Sequence, residues 1–198
     1  MHNIINNFIC TIPMNFEFFK IAGLCLITPR KFGDDRGFFM ETFKSNTFKE
    51  AIGQDITFVQ DNHSLSGPKG TVRGLHFQTP PHTQGKLIRC TSGRILDVAV
   101  DVRKNSPTYG QHISVELTAQ NAKQLWVPPG FLHGFSTLEP NTEVVYKTTD
   151  YYAPECDANI LWNDPDLGIN WGIDDNAAIL SQRDITAPAF KNFISPFE

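Results

Sequence analysis

Arg73-Gly74-Leu75-His76, Lys86, His133 and Tyr146 lie within about seventy residues of one another, mostly in stretches that read as strands. Together they offer a base, a cation for a charged oxygen and a phenolic acid. A proton on carbon beside a ketone is weakly acidic, and its removal leaves negative charge on the carbonyl oxygen. Such a step needs a base with a pKa near the operating pH within hydrogen-bond reach of the carbon acid. It also needs a preorganised cation or donor where the oxygen charge develops. His76 is the natural base, because imidazole titrates nearest neutrality. It needs an acceptor at its other nitrogen, and Asp184 in Ser181-Gln182-Arg183-Asp184 is a candidate that spacing alone does not fix. Lys86 can meet the enolate oxygen, and Tyr146 can return a proton from a different strand, as inversion requires. No Gly-rich phosphate loop, metal-ligand cluster or nucleophile motif competes with this set.

Each residue also has a plainer reading. A lone strand histidine is more often a hydrogen-bonded structural residue, and a lone lysine is more often a solvated charge. Tyr146 alternates with Val144 and Thr148, which equally fits a packed core tyrosine. The joint appearance of these residues carries the argument, since polar groups gathered in one cleft tend to be functional.

The elements that must position them are short strands. The 198 residues suit one domain and are ample for a buried core. With 40% apolar and 19% charged residues, disorder is not expected. The 16 Phe, 14 Gly and 13 Pro favour a β-rich chain with many turns. A net charge of −4 argues against nonspecific nucleic-acid binding, which needs a basic face, yet leaves room for a phosphorylated ligand. Cys10, Cys25, Cys90 and Cys156 are scattered with no CxxC pair, so neither a zinc site nor a redox motif is expected. Nothing before Lys20 is basic, as a signal peptide would require, and the apolar run from Ile21 to Thr28 is too short to span a bilayer. Reduced thiols in the cytoplasm are the expected state.

Residues 1–19 show no clear period and read as an arm that packs on a partner subunit. From 56 to 63, Ile56, Phe58, Gln60 and Asn62 share one side of an extended segment, with Thr57, Val59, Asp61 and His63 on the other. Ser66-Gly67-Pro68-Lys69-Gly70 breaks the chain before a strand from Thr71 to Gln78. Further strands are expected at Lys86 to Cys90, Arg94 to Val102, around Ile113 to Leu117, at Gln124 to Val127 and at Thr142 to Thr149. One short helix is expected, capped by Ser45 or Asn46 and ended by Gly53, with helical turns near 176–180 and 189–193. A single all-β domain follows, with a few short peripheral helices and a tail at 185–198; a jelly roll fits best.

A series of motifs runs along the chain. It begins with Asp35-Arg36-Gly37-Phe38-Phe39-Met40-Glu41, Val59-Gln60-Asp61-Asn62-His63-Ser64 and Arg73-Gly74-Leu75-His76-Phe77-Gln78. Gln84-Gly85-Lys86-Leu87-Ile88-Arg89, Ser106-Pro107-Thr108-Tyr109-Gly110 and Pro128-Pro129-Gly130-Phe131-Leu132-His133-Gly134-Phe135 continue it. Tyr146-Lys147-Thr148-Thr149-Asp150-Tyr151-Tyr152 and Asn163-Asp164-Pro165 complete it. In this the chain resembles the dTDP-4-dehydrorhamnose 3,5-epimerase family, in collinear order from about Ile21 to Asp184.

The resemblance implies a cupin-type jelly-roll barrel that uses no metal or other cofactor. It implies a homodimer with strands exchanged between subunits. It implies a substrate that is a nucleoside-diphosphate 4-keto-6-deoxyhexose, inverted at C3 and C5 through enolates. It makes His76 the base, Asp184 its partner, Tyr146 the acid and Lys86 the enolate stabiliser. Arg73 and His133 would hold the sugar diphosphate, Gln60 and Asn62 fall at the nucleotide, Asp61 is expected among the substrate-binding residues, and Tyr152 would stack on the base. Arg36 and Glu41 would reach the ligand of the neighbouring subunit. Arg183 stands where the family often has lysine, and Asp157 where glutamate is common; both are expected at the ligand. Strict alternation would put Arg73 on the side opposite His76, so both enter one cavity only if the strand is irregular, with a bulge or sharp twist at Gly74.

Three rival readings stand beside this one. A metal-dependent cupin would want several histidines and a carboxylate, and no His-x-His occurs here. A binding module without activity would keep Arg36, Arg73 and Tyr152 but have no need of His76, Lys86 and Tyr146 together. A relative that inverts only one carbon, or moves the ketone, would share most of the set.

Overall fold

The computed structural model describes residues 14–198. In chain order the first elements are β1 (Met14–Phe18), β2 (Cys25–Pro29), β3 (Lys31–Asp34), β4 (Gly37–Met40) and α1 (Ser45–Ile52). Then come β5 (Gln60–Ser66), β6 (Val72–Gln78), β7 (Lys86–Ser92), β8 (Arg94–Asp101) and β9 (His112–Thr118). The last are β10 (Gln124–Val127), β11 (Phe131–Thr137), β12 (Thr142–Thr148), β13 (Asp157–Asn159) and α2 (Gln182–Ile185). Two antiparallel sheets face each other, ordered β1-β2-β10-β7-β12-β5 and β13-β6-β11-β8-β9. The β3–β4 hairpin stands apart from both. This is the expected jelly roll.

Alternation explains the layers. Ile88, Cys90, Leu125, Val127 and Val144 point inward from the first sheet and meet Ile95, Ala99, Phe131 and Phe135 from the second. The outer face of the second sheet carries Val72, Leu75, Val98, Val100 and Leu132, covered by Ile160, Trp162, Leu167 and Trp171 of the C-terminal segment. Leu87, Trp126, Cys25 and Ile27 cover the outer face of the first sheet, packed under Phe48 of α1. With a layer on each side, β8 and β11 are buried on both faces.

That double burial is why the strand at Phe131–Thr137 was not expected: all seven residues are buried, so no period of two marks it. The expected arm is corrected over its last residues. Residues 1–13 of it lie outside the described residues, whereas Met14–Phe18 forms a strand paired with β2. Gly53 ends α1 as expected, at φ +74 with its N–H on Lys49 O, but the N-cap is Lys44 rather than Ser45 or Asn46. The expected helical turns are 3₁₀ turns at Asp175–Ala177 and Phe190–Asn192. The tail is tied down by Lys104 N–H on Phe197 O and by the Ser195 hydroxyl on Val102 O.

The irregularity expected at Gly74 is present. His133 pairs with His76 and Phe135 with Arg73, so three steps along β6 face two along β11. Gly74 has φ +134, and a Cβ there would lie 2.6 Å from Gly134 Cα and 2.9 Å from His133 O. Gly134 in turn leaves no room for a Cβ beside Arg73 O, at 2.9 Å. The two glycines let the strands touch and turn Arg73 and His76 to the same side. Gly74→Ala combines a glycine-only backbone conformation with an overlap of backbone atoms, each costing about 1–3 kcal/mol. Denaturant titration checks this, and unchanged stability would count against the close approach.

Candidate active site

Register decides which side chains meet. On the first sheet Thr148 pairs with both Gln60 and Lys86, and Tyr146 pairs with both Asn62 and Ile88. Two rows, Gln60-Thr148-Lys86 and Asn62-Tyr146-Ile88, therefore share the inward face. Across from them His76 and His133 are direct partners on neighbouring strands of the second sheet. Between the sheets lies a cavity of about 450 Å³ lined by Arg73, His76, Lys86, His133, Tyr146, Arg183 and Asp184, among others. The expected acid–base set is thus brought to one chamber, with imidazole and phenol on facing walls.

His76 donates from Nε2 to Asp184 Oδ1 at 2.6 Å. This leaves the lone pair on Nδ1 as the basic position. The imidazole is 30% exposed and the Asp184 side chain only 4%. Burial pushes the Asp184 carboxyl up, but the hydrogen bond and charge of His76, the Ser181 hydroxyl and Arg183 outweigh it and hold its pKa below the usual carboxylate value. His133 makes a parallel pair, donating from Nε2 to Asp97 Oδ1 at 2.8 Å. Asp97 is fully buried, and its Oδ2 has no partner among the described residues.

Lys86 has neither an ion pair nor a hydrogen bond from Nζ among the described residues. Burial lowers its pKa to about 8, against the upward pull of Asp157 and Asp97. Burial also raises the Tyr146 phenol, which the charge of Arg73 partly offsets. Arg73 itself is held by Ser66 Oγ and Leu65 O, each at 3.2 Å.

A polar cluster adjoins the cavity. Arg183 Nη1 meets Asp157 Oδ2 at 2.5 Å, and the Tyr152 hydroxyl donates to the same oxygen at 3.1 Å. Gln60 links the Tyr152 N–H, 3.1 Å, to Asn62 Oδ1, 2.9 Å. The two positions that depart from the family pattern, Asp157 and Arg183, are therefore bonded to each other.

Three expected ligand residues lie elsewhere. Asp61 is corrected: alternation turns it to the outer face of β5, where it pairs with Lys147 at 2.9 Å beside a separate hollow lined by Arg89 and Phe43. Arg36, at the hairpin tip, is paired with Asp34, and its side chain is 89% exposed. Glu41 follows β4 and lines no part of this chamber, and its Oε1 is buried without a partner among the described residues. Polar residues of the site that were missed include Asp97 and Ser181, with Ser64 and Thr71 also on the chamber wall. Asp97 had a signal, a charge between Ile95 and Ala99 on an apolar strand face. Ser181 is placed by the fold alone. Among the described residues no three His, Cys, Asp or Glu side chains gather as metal ligands would.

The family model for dTDP-4-dehydrorhamnose 3,5-epimerase matches residues 19–192. A dTDP-4-dehydrorhamnose 3,5-epimerase of Salmonella typhimurium is 51% identical, over 85% of this chain and 91% of its own. The crystal structure of a Legionella pneumophila dTDP-6-deoxy-D-glucose-3,5-epimerase, in complex with dTDP-4-keto-L-rhamnose, is 42% identical. It superposes with a TM-score of 0.87 over 91% of this chain and 95% of that one. A 3'-monoepimerase of Streptomyces bikiniensis in complex with dTDP-quinovose is 35% identical, with a TM-score of 0.81 over 86% of this chain and 85% of its own. Matched over most of its length in both sequence and fold, the chain belongs to the dTDP-4-dehydrorhamnose 3,5-epimerase family.

Proposed function

We propose that this chain inverts C3 and C5 of dTDP-4-dehydro-6-deoxy-D-glucose to give dTDP-4-dehydro-L-rhamnose. The observation that carries the reading is one chamber with an imidazole–carboxylate pair on one wall, a phenol on the facing wall and, beside them, a lysine without a partner among the described residues. His76 Nδ1 takes the proton from the carbon next to the C4 ketone, while the Lys86 ammonium meets the oxygen that becomes negative. The Tyr146 hydroxyl then delivers a proton to the other face of the enolate. Exchange with solvent restores both groups, so no net proton is consumed. Arg73 and His133 hold the diphosphate side, and Gln60, Asn62, Tyr152, Asp157 and Arg183 hold the nucleotide end.

The working unit in this reading is a homodimer. The β3–β4 hairpin carries Phe32, Phe38 and Phe39, 49%, 60% and 71% exposed, a cluster of apolar surface that favours a protein contact. The edge strand β5, whose outer backbone groups have no strand partner among the described residues, suits such a hairpin. Arg36 and Glu41 then serve the neighbouring subunit's ligand. No helix among the described residues is long and apolar enough to cross a membrane. Cys25, Cys90 and Cys156 are free thiols, which fits the reducing cytoplasm.

Running the reaction in heavy water and following the sugar by NMR tests the chemistry. Deuterium is expected at both C3 and C5. Retention of both protons would rule out the enolate route. Labelling at one carbon would move the assignment to a single-centre epimerase, a reading that the Streptomyces bikiniensis relative keeps in view.

A further inference from the structure

We propose that Ser181 is a positioning residue for this reaction, its hydroxyl locking the free oxygen of the carboxylate that orients His76. The inference rests on the reading of His76 as the base. Ser181 immediately precedes α2, and its Oγ accepts the Asp184 N–H at 3.2 Å. The hydroxyl hydrogen goes to Asp184 Oδ2 at 2.9 Å, while Oδ1 receives His76. No other group among the described residues bonds Oδ2. With the Asp184 side chain only 4% exposed, an oxygen released by Ser181 finds little water to replace it.

The torsion that swings a carboxylate is broad and soft. Held at one oxygen only, the Asp184 carboxylate can turn, and the imidazole bonded to it turns too. General-base catalysis is sensitive to such movement, since a misplacement of about 1 Å costs on the order of 100-fold. The backbone around Asp184 has separate anchors. Asn159 Nδ2 donates to Arg183 O at 2.9 Å, and the Arg183 side chain is tied to Asp157. Removing the Ser181 hydroxyl therefore frees the carboxylate more than the turn that carries it.

Variants of the full-length chain test this, with turnover of dTDP-4-dehydro-6-deoxy-D-glucose as readout. Ser181→Ala is expected to lower kcat by about 10-fold or more while KM moves by less than about threefold. Ser181→Gly keeps a backbone suited to a helix start and is expected to show the same loss, so the result does not depend on how well the alanine variant folds. Ser181→Thr restores the hydroxyl and is expected to stay close to the parent rate. In an Asp184→Asn background the alanine change should add no further loss, because the carboxylate it acts through is gone. Unchanged kcat in Ser181→Gly, or an equal loss in both backgrounds, would overturn the proposal. His76→Asn distinguishes the two levels: full activity there removes the base reading itself, whereas an inactive His76→Asn with an active Ser181→Gly removes only the role of Ser181.

Discussion

Exchanging His76 for Asn is expected to lower kcat by two or more orders of magnitude, and Tyr146→Phe to do the same, in keeping with general acid–base contributions of roughly 10² to 10⁴. The two losses should nevertheless differ in kind. Without His76 no proton leaves carbon, so neither epimerised sugar nor deuterium incorporation from heavy water should accumulate. Without the Tyr146 hydroxyl the proposed base His76 is intact on its own wall, and the Lys86 ammonium should still face the oxygen. Proton removal and return then occur on one face only, and deuterium should enter with configuration retained. The 30% exposure of His76 makes exchange of its captured proton with solvent feasible. Parallel NMR and rate measurements on the two variants read both outcomes. Near-parental turnover in either, or exchange persisting in His76→Asn, would remove the assigned role.

How much of this was legible in the sequence depended on local pattern. Where a strand has one face in the cavity and one outside, alternation told the faces apart. Gln60 and Asn62 came out opposite Asp61 and His63, and the structure keeps them so. The same rule turns Asp61, expected among the ligand residues, to the outer face beside Lys147. At Gly74, strict alternation conflicted with the need for Arg73 and His76 on one side, and the bulge resolved it. What stayed hidden depends on contacts far apart in the chain. Asp184 reaches His76 across 108 residues and Asp97 reaches His133 across 36. Both pairings are set by sheet order and by where the C-terminal segment lies, and no local window contains that. β11 was hidden for the opposite reason: buried on both faces, it has no periodicity to read.

Lys86 is expected to tie pH, activity and stability together. Desolvation lowers its pKa from 10.5 to about 8, and the neighbouring Asp157 and Asp97 only partly restore it. Below pH 8 the side chain is an ammonium with no partner among the described residues, suited to an oxygen that gains charge only during the reaction. As pH rises through about 8 that cation is lost, and turnover should fall with it. Stability should move the opposite way. Between pH 8 and 10.5 the unfolded chain keeps the proton that the folded chain has released, so ΔG of unfolding increases with pH across that window through this group. Lys86→Met separates the two effects. It removes a partly buried charge and is expected to stabilise the fold near pH 7 by about 1 kcal/mol. It also lowers kcat by roughly 10² to 10³, the scale of losing one preorganised oxyanion partner. Its stability should lose the rise above pH 8 that the parent shows. Denaturant midpoints and kcat measured from pH 6 to 10 on both proteins test the set. A methionine variant that is less stable at neutral pH, or that turns over at the parental rate, would show that the lysine is placed for packing and not for the enolate.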